Sequence, residues 1–200
     1  MKIQLIRLFS ALVAGALVMI LHEFPKAFIF SKLKSGKDSR HYNIYKLYQY
    51  IDPIGLLLCV TSQTGFSKPY MYRIKDKKAN FILGITGYIS LFLTFSASVA
   101  LLRFKYGNKS SLYYSGNIPF FELMVQFILV YIALISISMF LVNLFPISTF
   151  DMGLCIAGIS PARYFVIIRN DYLIKVILLV VIIMNFISSF STRILIAFLQ

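Results

Sequence analysis

Long apolar stretches separated by short polar ones run along most of the chain. Residues 79–102, 123–150 and 176–192 contain no charged side chain. A bilayer-spanning helix needs about 20 mostly apolar residues, and a single segment in hydrocarbon satisfies its backbone hydrogen bonds only as a helix. The pattern therefore predicts transmembrane helices at about 79–102, 120–147 and 173–199.

The N-terminal apolar stretch is shorter and is broken by polar residues. Lys2 and Arg7 precede the uncharged run 8–21, and small residues at 14–16 are typical of the cleavage site of a secretory signal peptide. The apolar run continues past that site and resumes at 27–30. We interpret the segment as an uncleaved span at about 5–30, with a cleaved signal peptide as the alternative.

Composition agrees with a membrane protein. Apolar residues make up 59% of the chain, charged residues 14%, and the mean hydropathy is +0.81, whereas soluble domains carry about a quarter charged residues. A chain this apolar cannot cover its surface with polar groups, so the lipid bilayer is its expected solvent. The predicted fold class is an all-α membrane protein with about four transmembrane helices, and residues 1–200 form a single integral membrane domain.

The net charge of +13 reflects topology and does not indicate nucleic-acid binding. Cations concentrate in the loop 31–78, where few acids oppose them. They are Lys32, Lys34, Lys37, Arg40, Lys46, Lys68, Arg73, Lys75, Lys77 and Lys78. The positive-inside rule places such a loop in the cytoplasm of a multi-pass protein of the cell membrane.

A second uncharged run, 53–67, lies inside this basic loop and is short for a span. Gly55, Gly65 and several polar residues interrupt it. One interpretation is a surface loop that folds back on the protein. The other is a re-entrant cytoplasmic hairpin containing an extended strand, because irregular backbone is tolerated at membrane depth where it lines a cavity. The edge of such a strand can pair with another extended peptide.

Ionisable residues within spans are energetically costly and mark candidate functional sites. His22, Glu23 and Lys26 interrupt the first span, and Asp151 ends the third. His22-Glu23 is the first half of the HExxH zinc motif, in which two histidines one helical turn apart bind the metal and the glutamate is the general base. Lys26 stands where the second histidine belongs. By itself, the pair favours a polar helix end.

Three further segments, in the same order, resemble motifs of one enzyme family. Residues 143–153 read NLFPISTFDMG, which resembles the NxxPxxxxDG motif of the site-2 protease family of intramembrane zinc metalloproteases. Residues 50–56 (YIDPIGL) look like that family's IDPIG segment, and residues 65–69 (GFSKP) are similar to its GWxKP stretch. The resemblance covers about residues 15–155.

This resemblance implies a site-2-protease-like core and a zinc ion held within the membrane near the cytoplasmic face. It implies that His22 and Asp151 are zinc ligands if metal is bound, and that Glu23 is the general base if the protein is active. The substrate would be a transmembrane helix or membrane-embedded peptide of another protein, which unwinds and pairs with the re-entrant strand. The residues carried over to the substrate groove are Asn143, Pro146, Asp52 and Gly55.

Departures from the family motifs fall at its catalytic positions. Lys26 removes one ligand, and a catalytic zinc normally has three protein ligands plus water. The segment 85–91 resembles the family's AGPxxN stretch, but Tyr88 replaces the proline and Leu91 the asparagine, while Met152 replaces the glycine after Asp151. We therefore hypothesise that Lys26 substitutes for the metal charge and pairs with Asp151 or Glu23.

These departures favour a pseudoprotease that binds or regulates a membrane-embedded peptide without cleaving it. No cofactor is then expected. The alternative is an active intramembrane zinc metalloprotease with a noncanonical ligand set, and a transporter or channel component is supported only by the spans. His41 is expected to be a solvated loop residue, and Cys59 and Cys155 are expected to be buried thiols.

Overall fold

A computed structural model describes residues 2–33, 43–70, 76–106 and 120–199, which are almost entirely helical and contain no β-strand. The α-helices are α1 (Lys2–Lys32), α2 (Pro53–Ser62), α3 (Lys77–Tyr106), α4 (Phe120–Asn143), α5 (Asp151–Ile159), α6 (Pro161–Ile183) and α7 (Phe186–Leu199), and a short 3-10 helix covers Leu47–Tyr50. The predicted all-α fold class is confirmed.

Three helices are long and apolar enough to cross a bilayer: α1 from Ile3 to Lys32, α3, and α4. Helices α6 and α7 meet the same test only together, and they are bent by 58° where Asn185 adopts a left-handed conformation, with φ at 58°. The described residues thus contain three helices that could span a membrane, or four such segments if the bent pair counts as one. The apolar pattern predicted the last span from 173 onward, but its helix begins earlier, at Pro161.

Helices α1, α3 and α4 pack around a shared apolar core. Val18 and Met19 of α1, Leu91 of α3, and Ile135 and Met139 of α4 are all buried in it. The outward faces of the same helices carry exposed leucine, isoleucine and phenylalanine side chains. This arrangement is expected where lipid is the solvent, and it shows that the polar residues of α1 face inward.

The expectation of a strand within 53–67 is wrong. Pro53–Ser62 forms helix α2, with Pro53 in its first turn and the Asp52 carboxylate accepting a hydrogen bond from the Gly55 amide at 2.8 Å. Proline at the first helical position after a capping aspartate is a strong helix-start signal, and it outweighs the strand preference of the β-branched residues. Only residues after Ser62 are irregular.

The irregular segment 64–69 turns back along α2. The Lys68 amide donates a hydrogen bond to the Tyr50 carbonyl at 3.0 Å. A side chain at Gly55 would overlap the Phe66 carbonyl, so glycine permits the close approach of α2 and this segment. The chain therefore forms a hairpin made of a helix and an irregular return, whose end reaches helix α1.

Helix α6 lies at the edge of the bundle, where it packs against α5 and α7. It is tied to the α4–α5 connection at Ser148. The Ser148 amide donates to an oxygen of Asp171 at 2.8 Å, and the Tyr164 hydroxyl donates to the Ser148 carbonyl at 3.1 Å. These bonds fix the connection that leads into Asp151.

Candidate functional site

Helix α1 presents three ionisable side chains to the protein interior. His22, Glu23 and Lys26 are 1%, 2% and 6% exposed, and the helix continues through Pro25 to Lys32. Residues three and four positions apart share one helical face. The three groups therefore converge instead of marking the end of the helix.

Asp151 reaches this cluster from the first residue of α5 and is fully buried. One oxygen of its carboxylate, Oδ2, lies 2.7 Å from Nε2 of His22. Asn143 supports this position, because its Oδ1 accepts a hydrogen bond from the Asp151 amide at 3.4 Å while its Nδ2 donates to the Met139 carbonyl at 2.9 Å. Asn143 thus links the end of α4 to the start of α5.

The Lys26 ammonium bridges the two carboxylates of the site. Its Nζ lies 2.6 Å from Oε1 of Glu23 and 2.9 Å from Oδ1 of Asp151. Removing a charge from water is costly unless the charge is paired and hydrogen-bonded. In this cluster, each buried carboxylate has a cation within hydrogen-bond distance.

Ser67, in the returning segment 64–69, joins the cluster from the other side. Its Oγ lies 2.8 Å from Nδ1 of His22 and donates to Oε1 of Glu23 at 2.8 Å, while the Tyr70 amide donates to the other Glu23 oxygen at 3.0 Å. Ser67 is not among the site residues predicted from the sequence. Its place inside the GFSKP stretch was the signal for it, because that stretch, like segment 85–91, contributed no predicted site residue.

The hydrogen bonds of the cluster determine its net charge. A hydroxyl has one proton to donate. Ser67 gives it to Glu23 and so accepts from Nδ1 of His22. The 2.7 Å contact between Nε2 and Asp151 then requires one more proton between those two atoms. That proton and the Lys26 ammonium carry two positive charges, which balance the two negative charges of Glu23 and Asp151. The net charge of the cluster is therefore zero.

Helix α3 closes the site with a glycine. A side chain at Gly87 would overlap the Asp151 carboxylate, and one at Gly84 would overlap the Asp151 backbone carbonyl. Tyr88, which stands at the proline position of the resembled motif, donates from its hydroxyl to the Asn143 carbonyl at 2.6 Å. Gly87 lies within segment 85–91 but is not among the site residues predicted from the sequence.

The four residues expected in a substrate groove lie in different places. Asp52 lines a groove of about 370 Å³ that Ser67 also borders, and Pro146 lines a separate apolar groove of about 480 Å³ beside the α6–α7 bend. Asn143 and Gly55 are buried and line neither groove. The structure thus brings His22, Glu23, Lys26 and Asp151 together and separates the groove candidates.

With Lys26 at the position of the second histidine, these side chains lack the complete three-ligand set of a catalytic zinc. Two ligands of one tetrahedral zinc, each bonded at roughly 2.1 Å, are held about 3.4 Å apart, whereas His22 and Asp151 are in direct hydrogen-bond contact at 2.7 Å. The would-be third ligand is an ammonium group. No cluster of three histidine, cysteine or acidic side chains suited to a metal ion occurs in the described part of the chain.

Other candidate ligands do not complete a site. His41 lies outside the described residues. Cys59 and Cys155 are both buried free thiols. Burial raises the pKa of the Cys155 thiol to about 11, and the nearby Asp151 carboxylate acts in the same direction. A thiol with a raised pKa is a poor source of the thiolate that binds metals.

Comparison of the chain with protein-family models, with curated proteins and with solved structures gave no match. The resemblance to the site-2 protease family therefore rests on the motifs of this sequence, and it stays a prediction.

Proposed function

We propose that this chain is a catalytically impaired, site-2-protease-like membrane protein that binds or regulates a membrane-embedded peptide of another protein without cleaving it. One observation carries the proposal: the Lys26 ammonium lies within hydrogen-bond distance of both Glu23 and Asp151. Lys26 therefore lies among His22, Glu23 and Asp151, the residues that the resemblance assigns to metal binding and catalysis.

The engagement of Glu23 argues against hydrolysis. A general base must have a free lone pair directed at the nucleophilic water. Oε1 of Glu23 accepts hydrogen bonds from Lys26 and Ser67, and Oε2 accepts one from the Tyr70 amide, so three of its roughly four lone-pair sites are engaged. A carboxylate held by three donors has little freedom to turn toward a water molecule, so Glu23 is poorly placed to act as a general base.

A groove beside the charged cluster supports peptide binding. Ser67 links the cluster to the groove of about 370 Å³, which lies between segment 64–69 and helix α6. Within the described residues, the amides of Gly65, Phe66 and Ser67 donate no hydrogen bond to protein atoms. Unpaired backbone groups of this kind are the feature by which an extended peptide docks along another chain.

The proposed location is the cell membrane, with loop 31–78 in the cytoplasm. The charged cluster lies toward the end of the bundle at which this loop joins α1 and α3. A partner would therefore reach the groove near the cytoplasmic face.

The second candidate is an active intramembrane metalloprotease with a noncanonical ligand set. The proximity of His22, Glu23 and Asp151 favours it, because these are the residues such an enzyme would use. It requires Lys26 to leave the cluster when metal binds.

Zinc content of the purified full-length protein, measured by elemental mass spectrometry, distinguishes the two candidates. We expect wild type to hold no more zinc than the His22→Ala and Asp151→Ala variants. About one zinc per chain, lost in both variants, would overturn the pseudoprotease proposal and support the enzyme.

A further inference from the structure

The groove between segment 64–69 and α6 has an apolar floor and a charged rim. Ile147, Phe150, Leu178 and Ile182 form much of the floor, all of them buried. Asp52, Lys68 and Lys175 also line the groove, and both lysines are exposed. An occupant must therefore combine an apolar portion with a group that suits this rim.

The charges on the rim are not equally available. The Asp52 carboxylate already accepts a hydrogen bond from the Gly55 amide at the start of α2. Lys175 forms an ion pair with Asp171 at 2.5 Å. Lys68 contacts no carboxylate within the described part of the chain, so it is the rim charge left without a counter-charge.

We infer that the groove selects a membrane-embedded peptide that carries an acidic side chain next to its apolar segment, and that Lys68 binds this side chain. The inference rests on the proposed function and adds the chemistry of the partner. A lysine–carboxylate contact at the edge of a low-dielectric groove is charge-assisted and stronger than a neutral hydrogen bond. Lys175 adds positive potential but is already paired.

Two features favour a peptide over an anionic lipid as the occupant. Phe66 and Ser67 line the groove, and within the described residues their amides have no protein acceptor; an acyl chain offers none either. A peptide backbone supplies carbonyl acceptors along its length. Ser67, whose hydroxyl contacts His22 and Glu23, also lines the groove, so an occupant would lie beside the residue that joins the groove to the charged cluster.

The test uses the full-length protein in nanodiscs of zwitterionic phosphatidylcholine. The probes are two fluorescent synthetic peptides with the same leucine- and alanine-rich segment of about 20 residues, one flanked by Asp and the other by Asn. Binding is measured by fluorescence anisotropy. Lys68→Gln is the test variant, and Lys46→Gln removes an exposed charge of the same loop that does not line the groove.

We expect the Asp peptide to bind wild type about tenfold more tightly than the Asn peptide, which matches a hydrogen bond to a charged group. Lys68→Gln should remove that preference, while Lys46→Gln should keep it. Equal binding of the two peptides, or a preference that survives in Lys68→Gln, would overturn the acidic-partner inference and leave peptide binding intact. Failure of both peptides to bind would count against the proposed function itself.

Added phosphatidylglycerol separates a lipid occupant from a peptide. If it displaces the bound Asp peptide from wild type but not from Lys68→Gln, the site belongs to a lipid headgroup and the inference is wrong. Retention of the peptide supports the inference.

Discussion

The side-chain nitrogen of Lys26 lies 2.9 Å from a carboxylate oxygen of Asp151, although 125 positions separate the two residues in the chain. The same nitrogen contacts Glu23 one helical turn earlier. Both contacts are buried, so the cluster exchanges solvent water for ionic hydrogen bonds between α1 and α5. The neutral balance of the cluster explains how these charges are tolerated inside an apolar bundle.

Loss of the Lys26 charge should destabilise the protein. Lys26→Met leaves two buried carboxylates without their cation, and breaking a buried ion pair from one side costs about 3–5 kcal/mol. Thermal unfolding in detergent measures the effect, with the exposed Lys46→Met as the control. Adding Asp151→Asn to Lys26→Met should recover part of the loss. An unchanged unfolding temperature in Lys26→Met would show that this ion pairing does not contribute to stability.

Lys26→His should convert the cluster into a metal site. The substitution places two histidines at i and i+4 on α1 opposite Asp151, which supplies the three protein ligands that a catalytic zinc requires. We expect about one zinc per chain by elemental mass spectrometry, and unfolding that becomes sensitive to chelators. The matched control adds His22→Ala to Lys26→His, and it should lose the metal. No zinc in Lys26→His would mean that the backbone geometry cannot hold a metal.

Gly87 should tolerate no side chain. Gly87→Ala places a methyl group where the Asp151 carboxylate lies, and overpacking of this kind costs about 1–3 kcal/mol. The control is Ser96→Ala, an exposed position on the same helix. Unfolding temperatures of the two variants give the comparison. If they are equal, α3 is free to move away from the cluster.

Ser67 should stabilise the cluster through its hydroxyl. Ser67→Ala removes the group between His22 and Glu23, and leaving buried polar partners unsatisfied costs about 1–3 kcal/mol. Ser62→Ala, at the end of α2, is the control because its side chain does not contact the cluster. The difference in unfolding free energy between the two variants should be at least 1 kcal/mol. A smaller difference would show that Ser67 does not stabilise the cluster and that the residues of α1 and α5 hold it together alone.

The proposed sidedness can be tested by labelling, because both native cysteines are buried. An impermeant maleimide should react with Lys46→Cys in inverted vesicles and not in intact cells. Lys105→Cys, exposed at the other end of α3, should give the opposite pattern. Reaction of Lys46→Cys from outside would reverse the topology.

Much of the fold followed from the sequence. The spans on α3 and α4 were predictable because uncharged stretches of bilayer length leave the backbone no alternative to a helix. The span on α1 was predicted from a shorter apolar run that resumes beyond the polar residues. The strand in the hairpin interpretation of 53–67 was wrong, because Asp52 caps a helix that begins at Pro53 and this start signal outweighs the strand preference of the β-branched residues. The bend between α6 and α7 had one short signal in the sequence, Asn185, because asparagine adopts the left-handed conformation that ends a helix more readily than most residues.

The site was predictable only in part. His22, Glu23, Lys26 and Asp151 stood out as ionisable residues in or beside apolar segments, and the structure brings all four together. Ser67 and Gly87 did not stand out, because a serine and a glycine in apolar surroundings are common. Their roles depend on which helix face meets which neighbour.

The sequence by itself determined that this is an all-helical membrane protein, because hydropathy acts along the chain and needs no knowledge of its neighbours in space. The sequence motifs also predicted that Lys26 pairs with Asp151 or Glu23. Tertiary structure decided that Lys26 contacts both carboxylates, that Ser67 joins the cluster, and that a groove with a lysine on its rim lies beside it. Those contacts join residues far apart in the chain, and their energies depend on distances of a few ångströms and on burial, which only the packed helices set.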